Sequence, residues 1–176
     1  MKAGSIFGLD GRVVMITGAS SGLGERFAEV AAANGARVVL VGRRAERLAA
    51  LEKKIERSGG SALAVPADVT DSKAMASAFD AAESAFGVVD VFVANAGTPS
   101  WGRPLEVTQE SWRRVMETNL DAVFWWSQEA ARRLVAAGKG GSIITISSIA
   151  GLVVPGALTA YGISKAAVIS ATKLLA

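Results

Sequence analysis

Short apolar, β-branched runs alternate along the chain with longer stretches whose apolar residues recur at helical spacing. The runs Arg12 to Thr17, Arg37 to Gly42, Ala62 to Pro66, Val89 to Ala94 and Ser142 to Ser147 read as strands. Between them Gly22 to Asn34, Ala45 to Ser58, Asp71 to Phe86 and Gln109 to Ala137 read as helices, with a last helix from about Thr159 onward. Parallel strands need crossovers of this kind, and right-handed crossovers stack the helices on both faces of the sheet. The pattern therefore predicts a three-layer α/β fold, a doubly wound parallel sheet in a single domain over 1–176. In the fourth run Val89, Val91 and Val93 alternate with Phe92 and Ala94, as expected of a strand buried on both faces.

Composition narrows the chemistry more than the fold. With 51% hydrophobic and 20% charged residues in 176, the chain has ample material for one packed core. Its apolar runs are strand-length, far short of the roughly 18 to 20 residues of a bilayer span, so no membrane partner is expected. The stretch Met1 to Gly11 lacks a sustained apolar segment, and a cytoplasmic location is the expectation. The net charge of +3 is spread among acidic residues rather than gathered in a stripe, which argues against nucleic acid as a partner. There is no cysteine and no histidine, hence no thiolate nucleophile and no Cys or His metal site. Acid/base chemistry near neutral pH then falls to a carboxylate, a lysine or a tyrosine with a shifted pKa.

The first strand runs into Thr17-Gly18-Ala19-Ser20-Ser21-Gly22-Leu23-Gly24, and a helical pattern follows at once. Glycines there allow a tight turn and a close approach of backbone to an anion, while the free N–H groups of the helix start face it; the segment reads as a phosphate cradle. In such folds the residue ending the second strand meets the adenosine ribose, and an acid there binds the 2′-hydroxyl. Here the strand ends Val41-Gly42-Arg43-Arg44. Two arginines at a helix start oppose the macrodipole and call for an anion, which a 2′-phosphate supplies, so NADP is favoured over NAD. Asp68 and Val69 follow the third strand, where the carboxylate either caps the next helix as an Asx turn or contacts adenine.

Tyr161 is the single tyrosine of the chain and Lys165 follows it at i+4 at the start of a helix. This spacing places both on one face, so the ammonium is expected to lower the phenol pKa by charge proximity and the pair to stand in for histidine. Ser147 and Ser148 close the fifth strand at the carboxyl edge of the sheet, where open α/β sheets bind ligands. A hydroxyl there either orients a substrate oxygen or caps the following turn.

Taken together, Thr17-Gly-Ala-Ser-Ser-Gly-Leu-Gly, Asn95-Ala-Gly, Ser148 and Tyr161-Gly-Ile-Ser-Lys165 resemble the short-chain dehydrogenase/reductase family, with its Rossmann-type sheet. The resemblance implies an NAD(P)-dependent oxidoreductase that transfers hydride between the nicotinamide and a carbonyl or secondary alcohol. It assigns Tyr161 as acid/base, Lys165 as the residue that tunes it and binds the nicotinamide ribose, and Ser148 rather than Ser147 as the substrate-orienting hydroxyl. Asn119, in Glu117-Thr-Asn-Leu, matches the family's asparagine that holds a relay water; the residue pattern alone marks it only as a polar position in a helix. Asn95, Ala96 and Gly97 match the segment that steadies the sheet and lines the cofactor, and Asp68 the adenine contact. Gly18, Ser20, Ser21, Gly22, Leu23, Gly24, Arg43, Arg44, Asp68 and Val69 complete the expected cofactor site.

Members of that family normally continue past this helix into a further strand, lid helices and a last strand, whereas the chain stops at Ala176. A longer protein is the expectation, since Ser142 to Ser147 would otherwise be an apolar strand at an open sheet edge. Trp101 is expected to overhang the substrate, and Trp112, Trp125 and Trp126 to pack the long helix against the sheet or a partner subunit. The resemblance places a homodimer or tetramer interface on that helix and on the Tyr-Lys helix. The alternative function, a nucleotide-binding sensor or scaffold without catalysis, has no use for Tyr161, Lys165, Ser148 and Asn119 together. A serine hydrolase lacks both a histidine base and a nucleophile elbow.

Overall fold

The computed structural model describes residues 8–153 and 156–176. Five parallel strands, β1 Val13–Thr17, β2 Arg37–Gly42, β3 Ser61–Pro66, β4 Val91–Ala94 and β5 Ser142–Thr145, form one sheet in the order β3-β2-β1-β4-β5. The helices are α1 Gly22–Ala33, α2 Ala45–Arg57, α3 Ser72–Phe86, α4 Gln109–Met116, α5 Ala122–Ala136 and α6 Thr159–Leu175.

The alternation of β1 and β2 explains the three layers. Val13, Met15, Val39 and Val41 point into one core with Phe79, Phe92 and Trp126, while Val14, Ile16, Val38 and Leu40 point into the other with Leu48, Leu51 and Ile55. Parallel pairing of Val14 with Val38 and Met15 with Val39 keeps each set on its own face, so both faces of the central strands are apolar and both need helices. In α2, Leu48, Leu51 and Ile55 recur at i, i+3 and i+7 and form its buried stripe. Asp71 caps α3 by accepting from the N–H of Lys73 at 2.8 Å and of Ala74 at 3.3 Å, and Thr108 caps α4 by accepting from Ser111 N–H at 3.1 Å.

Two expectations are revised. The span Gln109 to Ala137 is not one regular helix: a π turn, Glu117–Asp121, separates α4 from α5. The fifth strand ends at Thr145, short of the serines, because a 3-10 turn at Ile149–Gly151 draws the chain away from the sheet. Two of the tryptophans of the long segment fall on different sides of the alternatives left open for them. Trp126 is fully buried against Phe79 and Phe92, with ring centroids 5.7 and 6.2 Å away, whereas Trp125 lies 54% exposed with Phe124 edge-on to it. Among the described residues no helix is long and apolar enough to cross a membrane, and β5 is an edge strand with Ile144 46% exposed.

Candidate active site

The order β3-β2-β1-β4-β5 means that the chain leaves β1 toward one side and later returns on the other, so a crevice opens at the carboxyl edge between β1 and β4. A cleft of about 610 Å³ lies there, lined by the glycine-rich turn, the end of β2, Asp68-Val69 and the segment Asn95 to Pro99. Of the sequence-predicted cofactor residues, Gly18, Ser20, Ser21, Arg43, Arg44, Asp68, Val69, Asn95, Ala96 and Gly97 line this cleft, whereas Gly22, Leu23, Gly24, Tyr161 and Lys165 do not.

Close packing explains two of the glycines. Gly18 has φ +70°, and a Cβ on it would sit 2.9 Å from Ala96 Cα; a Cβ on Gly24 would run into the Gly18 carbonyl oxygen and the Asn95 amide. Asn95 locks the two strand ends together, donating from Nδ2 to Thr17 O at 2.9 Å. Thr17 Oγ1 accepts from the N–H groups of Asn95 and Ala96, both at 3.1 Å. Thr17 is therefore the hub of this turn, a role that its place at the head of the glycine run hints at only once the partner strand is known.

Arg44 reaches back over the turn, donating from Nε and Nη2 to Ser20 Oγ at 3.0 and 2.8 Å and from Nη2 to Ser21 Oγ at 2.6 Å. Arg43 is 78% exposed and stands 3.7 Å from Asp68 Oδ2. Asp68 Oδ1 closes an Asx turn by accepting from Thr70 N–H and Oγ1 at 3.0 and 2.9 Å. Burial pushes the Asp68 carboxyl up, but the Thr70 bonds and the Arg43 charge outweigh it and hold the group below its ordinary value. Arg114 and Thr118 line the same cleft from the α4 side and were not legible as site residues in the sequence.

The reactive end is built on the first turns of α6. Lys165 is buried, at 4% exposure, and its Nζ donates to Ile146 O at 2.7 Å and lies 5.8 Å from the centroid of the Tyr161 ring. The pair is thus not a solvated surface pair. Burial depresses the Lys165 pKa below its ordinary value. Asn119 is fully buried in the π turn: its Oδ1 accepts from Thr98 N–H at 2.7 Å and its Nδ2 donates to Thr98 O at 3.0 Å and Ser164 Oγ at 3.2 Å. Ser164 Oγ donates in turn to Tyr161 O at 2.7 Å, so Asn119 steadies the turn that carries the phenol. Sequence reading passed over Ser164; its signal was the i+3 spacing from Tyr161 inside the same motif. A Cβ on Gly97 would lie 3.4 Å from Asn119 Oδ1 and 3.7 Å from Lys165 Nζ, so the cleft wall and the reactive end meet at this glycine.

The two serines divide their work. Ser147 Oγ donates to Lys165 O at 2.8 Å and ties the loop to α6. Ser148 accepts from Ala150 N–H at 3.2 Å and caps the 3-10 turn, the role that a serine at a strand end commonly plays. Among the described residues no group of three or more Asp, Glu, His or Cys is placed to hold a metal ion.

The family model for short chain dehydrogenases matches residues 12–176. Galactitol 2-dehydrogenase (L-tagatose-forming) of Cereibacter sphaeroides is 38% identical over 175 residues, which cover 98% of this chain and 67% of that protein. The crystal structure of a short-chain type dehydrogenase/reductase from Mycobacterium marinum superposes with a TM-score of 0.96 at 36% identity, covering 100% of this chain and 72% of the other. A short chain dehydrogenase/reductase from Burkholderia phymatum, in complex with NAD, superposes with a TM-score of 0.92 at 32% identity over 96% of this chain and 60% of the other. The chain spans about two thirds of the length of these relatives.

Proposed function

The chain belongs to the short-chain dehydrogenase family, and from that premise we propose that it acts in transferring hydride between NADP and a carbonyl or secondary alcohol, with Tyr161 as the acid/base. The observation that carries this reading is the buried Lys165, whose Nζ is fixed on Ile146 O beside the Tyr161 ring and against Gly97 of the cleft wall. A lysine almost free of solvent is expensive to keep unless its charge is used.

The cleft fits a dinucleotide. In its glycine turn Gly18 and Gly24 are packed against Asn95 and Ala96, while Gly22, at φ +60°, has nothing within 4 Å of where a Cβ would stand and leaves open backbone for a pyrophosphate to approach. Gly18 to Gly24 with Ser20, Ser21, Gly22 and Leu23 would hold the pyrophosphate, Asp68 and Val69 the adenine, and Asn95, Ala96 and Gly97 the inner wall toward the nicotinamide. When bound, the nicotinamide ring supplies or accepts the hydride. Arg44, already oriented by Ser20 and Ser21, and the exposed Arg43 favour the 2′-phosphate of NADP, since no carboxylate ends β2 to receive a 2′-hydroxyl.

In the direction of reduction the Tyr161 hydroxyl gives its proton to the substrate oxygen, and in oxidation it takes one. Lys165 places positive charge beside the Tyr161 ring and would hold the nicotinamide ribose. Ser148 holds the substrate oxygen. Both N–H groups of the Asn119 amide are engaged by Thr98 and Ser164, so its side chain acts as a positioning residue for Tyr161 and the Thr98 segment. The exposed Trp125 on α5 supports a homodimer or homotetramer, which on this reading acts on a small molecule in the cytoplasm.

Two measurements test the reading. Tyr161→Phe should lower the oxidation or reduction rate by at least about a hundredfold while NADPH still binds; full activity of this variant on a panel of carbonyls would refute the assignment. In fluorescence titrations NADPH should bind at least about tenfold tighter than NADH, and Arg44→Ala should remove most of that difference. A preference for NADH would refute the arginine argument and leave the tyrosine assignment standing.

A further inference from the structure

The surface around the reactive end is apolar where it faces outward. Trp101 is 78% exposed, and across the first turns of α6 Ile149, Leu152 and Val153 are 71%, 72% and 60% exposed. Ile149, Leu152 and Val153 follow one another in a single turn, and large apolar side chains clustered in this way mark a binding surface rather than random exposure.

Both groups are pinned to the helix that carries Tyr161 and Lys165. On one side Gly102 N–H donates to Ala157 O at 2.9 Å, and Thr159 Oγ1 donates to Gly102 O at 2.9 Å, which seats the Trp101 backbone on the start of α6. The other end of that segment is held by the two bonds between Thr98 and Asn119, and the adjacent Ser100 hydroxyl is bonded to Ser111 Oγ at 3.0 Å. Trp101 is thus presented outward by a fixed backbone. On the other side a Cβ at Gly151 would lie 2.8 Å from Ala166 N and from Lys165 C, so the 3-10 turn is pressed onto α6 beside the lysine. The turn that begins at Ser148 therefore carries its apolar residues along the same helix.

We propose, building on the function argued above, that the substrate is a secondary alcohol or ketone bearing an aromatic or alicyclic group, and that Trp101 is part of the wall that selects it. From Ile149 to Val153 the turn offers no side chain able to hydrogen-bond. A polyol seated on that turn would lose water from hydroxyls that find no partner there, whereas a ring would cover its apolar surface. The charged residues that follow Trp101 in its segment are Arg103 and Glu106, and Glu106 accepts from Arg103 N–H at 3.0 Å.

Isothermal titration of the full chain in the presence of NADPH compares 1-phenylethanol with xylitol and reads binding without turnover, since an alcohol and the reduced cofactor cannot exchange hydride. The expected result is at least about tenfold tighter binding of 1-phenylethanol, an advantage that falls below about threefold in Trp101→Ala. NADP affinity, measured separately, should be unchanged in that variant, which keeps its melting temperature. Equal or tighter binding of xylitol, no binding of either alcohol, or an unchanged preference in Trp101→Ala would overturn the proposal. So would a Trp101→Ala variant that changes only melting temperature or oligomeric state, since the patch would then be covered by protein. Failure of NADP itself to bind would instead overturn the functional reading on which the proposal stands.

Discussion

Replacing Asn119 by alanine removes three hydrogen bonds from a fully buried position in the π turn, two to Thr98 at 2.7 and 3.0 Å and one to Ser164 at 3.2 Å. Each contributes about 1 kcal/mol net, so the variant should lose roughly 3 kcal/mol, with more if the Thr98 groups find no water. At about 2 to 4 °C per kcal/mol for a domain of this size, the melting temperature should drop by roughly 6 to 12 °C. Differential scanning calorimetry gives the shift, and hydrogen exchange gives its location, because the Thr98 amide loses its acceptor and should exchange much faster than the amides of β1. Asn119→Asp offers a sharper control. It keeps an acceptor for Thr98 N–H but turns a second oxygen toward the Thr98 carbonyl, so it should be destabilised as well. A melting shift under about 2 °C in the alanine variant, or an unchanged Thr98 amide, would refute the view that this side chain ties the Thr98 segment to α6.

Lys165→Met should change how stability depends on pH. Burial lowers the lysine pKa from 10.5 in the folded chain, so between the folded value and 10.5 the unfolded chain binds more protons and stability rises with pH through that window. Below the folded value both states are protonated and the penalty is fully present. In urea unfolding, the stability of the methionine variant relative to the parent should therefore be greatest near neutral pH and should shrink as pH rises toward 10.5; a gap that widens with pH would contradict this. Trp126→Ala removes a buried ring stacked between Phe79 and Phe92 and the Nε1 bond to Val69 O at 2.9 Å. It should destabilise by about 3 to 5 kcal/mol and weaken NADPH binding, because Val69 lines the cleft. A loss below about 1 kcal/mol by chemical denaturation would show that Trp126 is not the keystone of this core.

The site was legible in the sequence to different depths at different residues. Gly18 and Gly24 stood out because a turn packed against a strand excludes side chains whatever the rest of the fold does. Tyr161 and Lys165 stood out because a helix fixes the spacing of i and i+4 on one face. Asn119 by contrast looked ordinary, since its partners Thr98 and Ser164 are distant in sequence and the π turn that aims it leaves no periodic trace. Thr17, Arg114 and Thr118 were invisible as site residues for the same reason: each acts on a neighbour brought in by another strand or helix. Ser148 was read as a substrate contact through family resemblance; its Oγ accepts from Ala150 N–H in the capped turn, which leaves its O–H to donate to a substrate oxygen.

The amino-acid sequence by itself determined the elements of this protein and the chemistry they carry. Periodicity, glycine placement and the absence of histidine and cysteine are local or compositional properties, and they act before any long-range contact forms. Only the tertiary structure decided where that chemistry meets. The order β3-β2-β1-β4-β5 opens the crevice beside β1, and the bond from Asn95 to Thr17 joins strand ends 78 residues apart. The same folding buries Lys165 against Ile146. Hydrogen bonds and burial of this kind depend on which surfaces pack together, and a one-dimensional pattern holds no direct record of that choice.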